Sequence, residues 1–165
     1  MKLKFKKLHP DAVVPKYGTP GSSGFDLVAI EDVEIDAGET KLVKTGLSMA
    51  VELGYEIQVR PRSGLSLKTP LRVSNAPGTV DSDYRGEVCV IMTNTSGIKS
   101  VVQKRGYDGD LIDITLNPLE IVRIKKGDRI AQGVVCPIIQ VDFEEVDDLD
   151  ETARGSGAFG STGKN

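Results

Sequence analysis

Ten consecutive residues near the middle of the chain could do chemistry: Gly78-Thr79-Val80-Asp81-Ser82-Asp83-Tyr84-Arg85-Gly86-Glu87. They put carboxylates, an aromatic ring and a guanidinium beside a turn. Pro77-Gly78 and Gly86 punctuate the stretch, and apolar alternation resumes in Val88, Val90 and Met92. That pattern predicts a β-hairpin whose tip and second arm carry function. Asp81 would serve as acceptor or general base, and Tyr84 as a wall of a pocket. A plain polar turn is the competing reading, because Asp and Ser favour turns for local reasons.

Other stretches share that chemistry. Asp26 interrupts the apolar run Phe25-Asp26-Leu27-Val28-Ala29-Ile30. In Pro61-Arg62-Ser63-Gly64-Leu65-Ser66-Leu67-Lys68 the period-2 pattern breaks. Ser63 is expected to cap one or two helical turns that Pro70 stops. Helix N–H groups beside an Arg suit an anion, although a capped connector has the same composition. The tail, residues 152–165, is rich in Gly and carries Arg154, Phe159, Ser161 and Thr162. It lacks the apolar content to fold alone. A P-loop would need Gly at position 158 and Ser or Thr at 165, where Ala158 and Asn165 stand. Backbone N–H groups, hydroxyls and Arg154 still suit phosphate.

The elements that must position these groups are short strands. Leu3 and Phe5 alternate with lysines, as in an edge strand. Residues 33–36, 41–43, 47–52, 55–60, 87–95, 111–116, 120–125 and 130–139 read as further strands between turn residues. No amphipathic stretch is long enough for a substantial helix. The pattern predicts an all-β sandwich, jelly roll or barrel. Residues 142–151 hold seven acidic residues in ten, with Phe143, Val146 and Leu149 at i+3 spacing. That suits a short helical turn or a solvated charge run.

Composition bounds the rest. At 165 residues the chain is expected to be one domain, 1–165. A net charge of −3 and 5% aromatic residues disfavour direct nucleic-acid binding. No membrane span or signal peptide is evident, which points to the cytoplasm. Cys89 and Cys136 lie in apolar runs without metal-ligand spacing and are expected to be reduced thiols. His9 is the only histidine, so a His-dependent hydrolase would rest on it, and no nucleophile elbow is present.

Five stretches, in order, resemble the motifs of the homotrimeric dUTP pyrophosphatases (dUTPases). They are residues 23–27 (SGFDL), 61–65 (PRSGL), 75–86 (NAPGTVDSDYRG), 127–132 (GDRIAQ) and 154–163 (RGSGAFGSTG). The resemblance implies a distorted jelly roll of the β-clip type, assembled as a homotrimer with active sites between subunits. It implies a flexible glycine-rich C-terminal arm over 152–165. It also implies Mg²⁺-dependent hydrolysis of dUTP to dUMP and pyrophosphate, which keeps uracil out of DNA and supplies dUMP for thymidylate synthesis. On that resemblance Asp81 deprotonates the water attacking the α-phosphate, and Gln132 helps hold it. Tyr84 lies under the deoxyribose, and Asn75 with the backbone at Gly78 reads uracil. Arg62, Ser63 and Gly64 cradle phosphates. Asp26 stands near the metal, acting through water, with Mg²⁺ mainly on substrate phosphates. From the arm, Phe159 stacks on uracil, while Arg154, Gly160, Ser161 and Thr162 close on the γ-phosphate. The arm would act as a lid that excludes water.

There are departures from the family pattern. Phe25 stands where many members have Tyr, and Ala158 where Gly is usual. Between Thr95 and Asn117 about twenty extra residues intervene, an insertion over 97–116 of the kind surface loops tolerate at small entropic cost. Some phage-encoded relatives carry inserts there. An extra hairpin at the subunit edge is expected, and a docking surface for a regulatory protein partner is the sharper reading. Two alternatives compete: a dCTP deaminase on the same architecture, and a non-catalytic trimeric module that binds a partner through the insertion.

Overall fold

The computed structural model describes residues 1–97, 101–105, 111–115 and 120–158. Among the described residues thirteen strands and one short helix follow in order. They are β1 (Lys4–Lys7), β2 (Phe25–Val28), β3 (Val33–Ile35), β4 (Thr40–Lys44), β5 (Leu47–Ala50) and β6 (Tyr55–Arg60). The helix α1 (Ser63–Lys68), β7 (Leu71–Val73), β8 (Gly78–Val80) and β9 (Cys89–Asn94) come next. The series ends with β10 (Val101–Arg105), β11 (Leu111–Thr115), β12 (Val122–Ile124) and β13 (Arg129–Pro137). The expected all-β class holds. Among the described residues no helix is long and apolar enough to cross a membrane.

A four-stranded sheet runs β2-β13-β6-β8, and a three-stranded sheet runs β4-β9-β7. Smaller pairs join β1 to β5 and β3 to β12. The two larger sheets turn their apolar faces onto one core, as a sandwich requires. Leu27, Ile57, Val59, Ile130 and Ala131 come from the first, and Val43, Val90, Met92 and Leu71 from the second. In β9 alternation is strict: Val90, Met92 and Asn94 point inward, between half-exposed neighbours.

Asn94 is a fully buried polar residue with both ends satisfied. Its Nδ2 donates to the carbonyls of Ile35 (2.9 Å) and Glu120 (2.6 Å), and its Oδ1 accepts from Ser96 N and Oγ. It thereby ties β9 to the chain entering β12.

Gly133 lies against the Phe25 ring, where an added Cβ would overlap the aromatic carbons. Phe25 is buried and has no room to retreat. Gly133→Ala should therefore lower stability by about 1–3 kcal/mol through overpacking, read from the midpoint of urea unfolding.

The connectivity departs from the sequence reading in several places. The stretch from Gly78 to Met92 is not a hairpin: β8 pairs with β6, whereas β9 pairs with β4 and β7. Residues 81–88 cross from one sheet to the other. The strands expected over 33–36, 41–43, 47–52 and 55–60 are present as β3 to β6, each paired with a strand distant in sequence. Ser63 does not cap the helix. Arg62 occupies the N-cap with extended backbone and no side-chain cap bond, and Ser63 is the first helical residue. Thr69 ends the helix in extended conformation, as a residue before proline must, with its N–H and hydroxyl both on Leu65 O. Residues 142–151 form no helix; Phe143 and Leu149 are exposed, as in a solvated charge run. Within the predicted insertion β10 and β11 form the expected antiparallel hairpin, Val101 opposite Thr115 and Arg105 opposite Leu111. Among the described residues it pairs with no other strand.

Candidate active site

The crossover from β8 to β9 closes over a cavity of about 470 Å³. Asn75, Gly78, Asp81 and Tyr84 line it together with apolar Leu42 and Ile91. A mostly apolar cleft with a few convergent polar groups suits a flat heterocycle and a sugar. Gly78 leaves room for Asn75, whose amide Nδ2 lies 2.8 Å from where a Cβ at Gly78 would sit. The backbone before Asp81 can thus approach whatever Asn75 faces.

The crossover is fastened at several points by contacts distant in sequence. Glu87 Oε1 accepts the Gly46 N–H at 2.7 Å, and Ser48 Oγ donates to Arg85 O at 2.8 Å. Thr45 Oγ1 donates to Val88 O, and Val88 N–H donates to Leu47 O. The Tyr84 hydroxyl donates to Glu87 O at 3.1 Å, which lays the ring across Gly86. A Cβ at Gly86 would collide with that phenol. Tyr84 remains 45% exposed, which leaves it open to a ligand. Glu87 escaped sequence reasoning because its partner lies 41 residues away with no local pattern to announce it.

A second group gathers where β2, β13 and the start of α1 meet. Gln132 sits opposite Asp26 in the β2–β13 ladder and opposite Arg60 in the β13–β6 ladder. Its Nε2 donates to Pro61 O at 3.1 Å, in space left by Gly24. Asp26 is bracketed by two guanidiniums: Arg62 Nε is 3.1 Å from Oδ1, and Arg129 Nη1 is 3.2 Å from Oδ2. Arg62 Nη1 also donates to Arg129 O at 3.1 Å. Ser63 and Gly64 follow, exposed, at the first turn of α1. Arg129 was quoted only as part of a motif; its pairing with Asp26, 103 residues away, gives it a place in the site.

The two groups do not meet within one chain. Val80 faces Ile57 on β6, and Gln132 faces Arg60. Asp81 therefore lies about four residues along and two strands across from Gln132, roughly 16 Å at standard strand spacings. Arg154 sits in a turn over 152–157, where its Nε donates to Gly157 O at 2.9 Å. Among the described residues no hydrogen bond or ion pair joins it to either group. Phe159, Gly160, Ser161 and Thr162 lie outside the described residues.

No cluster of three His, Cys, Asp or Glu side chains that could hold a metal occurs among the described residues. Asp26 offers a single carboxylate, set between the Arg62 and Arg129 guanidiniums. That donor set fits Mg²⁺ carried mainly by phosphate oxygens and water, and does not fit an all-protein metal cage.

Cys89 also lines the cavity beside Asp81. Burial, and then the Glu87 carboxylate, push its thiol up to about 11. At pH 8 only about one thiol in a thousand would be thiolate. Iodoacetamide should therefore alkylate Cys89 at least about a hundredfold more slowly in the folded protein than after denaturation, measured by peptide mass mapping.

The description dUTPase belongs to the family model that matches residues 11–107 and 102–163, two pieces that overlap over 102–107. The deoxyuridine 5'-triphosphate nucleotidohydrolase of Nautilia profundicola is 48% identical over 164 residues, covering 99% of this chain and all of that protein. The protein of the same name from Helicobacter pylori is 49% identical over 163 residues, covering 99% and 97%. Among solved structures, the dUTPase of Staphylococcus bacteriophage 80alpha with dUpNHpp superposes with a TM-score of 0.80 at 28% identity over 99% of both chains. The phage phi11 dUTPase, described with a structural Mg(II) ion, matches at 0.75 and 23% identity, covering 92% of this chain and all of that one, a likeness of fold. With five motifs in order and these matches along nearly its whole length, the chain belongs to the dUTPase family.

Proposed function

We propose that the protein hydrolyses dUTP to dUMP and pyrophosphate. The observation that carries this reading is the cavity of about 470 Å³ in which Asn75, Gly78, Asp81 and Tyr84 converge. Asn75 and the Gly78 backbone offer donors and acceptors at one end, suited to the edge of a pyrimidine. Rejecting cytosine then follows from hydrogen bonds it would leave unmet in a buried place. Tyr84 offers a ring face for the deoxyribose. Asp81, at the end of β8, is the base for the attacking water, with Gln132 helping to hold it. Arg62, Ser63 and Gly64 supply positive charge and N–H donors for the phosphates.

Mg²⁺ would be held by the substrate phosphates with Asp26 acting through water, and would neutralise phosphate charge. The roughly 16 Å between Asp81 and Gln132 supports active sites shared between copies of the chain in a homotrimer. Exposed Ile139, Val141 and Phe143, on the segment after β13, supply apolar surface for such contacts. In this reading Arg154, Phe159, Gly160, Ser161 and Thr162 close over the bound nucleotide. The insertion over 97–116 would be the docking surface for a regulatory protein partner. A cytoplasmic setting suits a nucleotide substrate and reduced Cys89 and Cys136.

Pyrophosphate release from dUTP, UTP, dCTP and dTTP, with Mg²⁺ and with EDTA, tests the reading. Metal-dependent release from dUTP alone is expected. Ammonia from dCTP would replace it with the deaminase, and no release with nucleotide still bound would replace it with a binding module. Tyr84→Ala should erode discrimination against UTP by about tenfold or more, because the ring no longer occupies the space a 2′-hydroxyl needs. An unchanged ratio of kcat/KM for dUTP and UTP would remove Tyr84 from the sugar contact.

A further inference from the structure

We propose that Arg129 is a second phosphate-binding guanidinium of the site, and that Asp26 is the positioning residue that holds Arg129 and Arg62 side by side. The inference rests on the dUTP-hydrolysing reading and adds a residue to its phosphate end. Like charges repel, so two guanidiniums meeting at one corner need a carboxylate between them. Asp26 fills that place, with one oxygen for each cation, at 3.1 and 3.2 Å. The cluster keeps one net positive charge.

Its donors are not exhausted. Among the described residues Arg129 commits one Nη1–H, to Asp26, of the five N–H groups a guanidinium carries. Its side chain is 57% exposed, against 27% for Arg62. Both line a cavity of about 390 Å³ that also includes Leu65, Gly127, Asp128 and Arg123. The other cation there has a partner of its own. Arg123 is neutralised by Glu34 at 2.6 Å, and the Asp128 carboxylate is turned to the β12–β13 turn, where its Oδ2 accepts the Lys125 N–H. The cation free to meet a ligand is therefore the Arg62–Arg129 pair. Planar guanidinium forks match the oxygens of a phosphate chain, and two held on one carboxylate suit two adjacent phosphoryl groups. The Arg129 end of the cluster is open to solvent, where an ion pair adds little to stability, so its place makes more sense as organisation of a site.

The Asp26 backbone position explains how it works. On β2 it is locked opposite Gln132 by the β13 ladder, so its carboxylate cannot follow the arginines if they drift. The arginines are instead drawn to it, from the start of α1 and from the first residue of β13.

The test compares inhibition by the two products in the full-length protein. Arg129→Ala should raise the inhibition constant for pyrophosphate by about tenfold to a hundredfold, the range for losing a charged hydrogen-bond partner. Inhibition by dUMP should stay within about twofold, since the cavity at Asn75 and Tyr84 is untouched. Arg129→Lys should fall between, keeping charge without the fork. Asp26→Asn should also weaken pyrophosphate inhibition, and should do so less when Arg129 is already Ala. Unchanged pyrophosphate inhibition in Arg129→Ala, or a parallel rise for both products, would overturn the assignment of Arg129. If Asp26→Asn moved only the Mg²⁺ concentration for half-maximal rate, the positioning role would be overturned. Direct calorimetric binding of pyrophosphate reads Arg129 even if wild type does not turn over dUTP, so failure of the two readings can be told apart.

Discussion

Asp81→Asn should lower dUTP turnover by about a hundredfold to ten-thousandfold, the range general-base removal produces. Affinity for a non-hydrolysable imido analogue of dUTP should stay near wild type. The substitution exchanges one oxygen for NH₂, so volume and shape persist while proton-accepting power is lost. Nothing in the local fold opposes it. Among the described residues the Asp81 carboxylate makes no hydrogen bond or ion pair, and only its backbone carbonyl holds the turn, accepting Tyr84 N–H at 3.2 Å. The crossover that carries it is fastened elsewhere, by Gly46, Thr45 and Ser48. Loss of a negative charge beside a polyphosphate should, if anything, tighten binding. Stopped-assay pyrophosphate release and calorimetry with the analogue separate the two effects. A variant that turned over dUTP at the wild-type rate would remove Asp81 as the base. One that lost binding and turnover together would make it a binding residue.

The parts of this molecule legible in the sequence are those whose cause is local. Val90 and Met92 announce a strand because period-2 alternation is written into neighbouring residues. Asn75, Gly78, Asp81 and Tyr84 are legible as one site because a single stretch of chain carries them into one cavity. What was not legible depends on partners distant in sequence. The crossover looked like a hairpin because turn chemistry does not say which strands the arms will pair with. β8 found β6 and β9 found β4 and β7 through burial of the two sheet faces on one core. Ser63 looked like a cap by residue type. Arg62, extended after Pro61, took the N-cap instead and set its guanidinium on Asp26. Neither that ion pair nor the Glu87–Gly46 bond has a sequence signature, since each joins residues whose separation no periodicity encodes.

The roughly 16 Å between Asp81 and Gln132 leads to a second large effect. If one copy supplies Asp81 and a neighbour supplies Arg62 and Gln132, two inactive variants should rescue each other. Asp81→Asn keeps a sound phosphate corner, and Arg62→Ala keeps a sound base. Co-expression with two different tags and purification through both leaves only mixed trimers. In a closed ring of three, whichever variant is present twice, one interface pairs the intact Asp81 with the intact Arg62. Activity should therefore return to about one third of wild type per trimer, from a few per cent or less for either variant alone, as cyclic heterologous interfaces require. A site complete within one chain gives the opposite result, because every copy in the mixture then carries one defect. The mixed protein would run no faster than the average of its parents. The fraction recovered thus counts interfaces directly, and one third is the value that three shared sites in a ring demand.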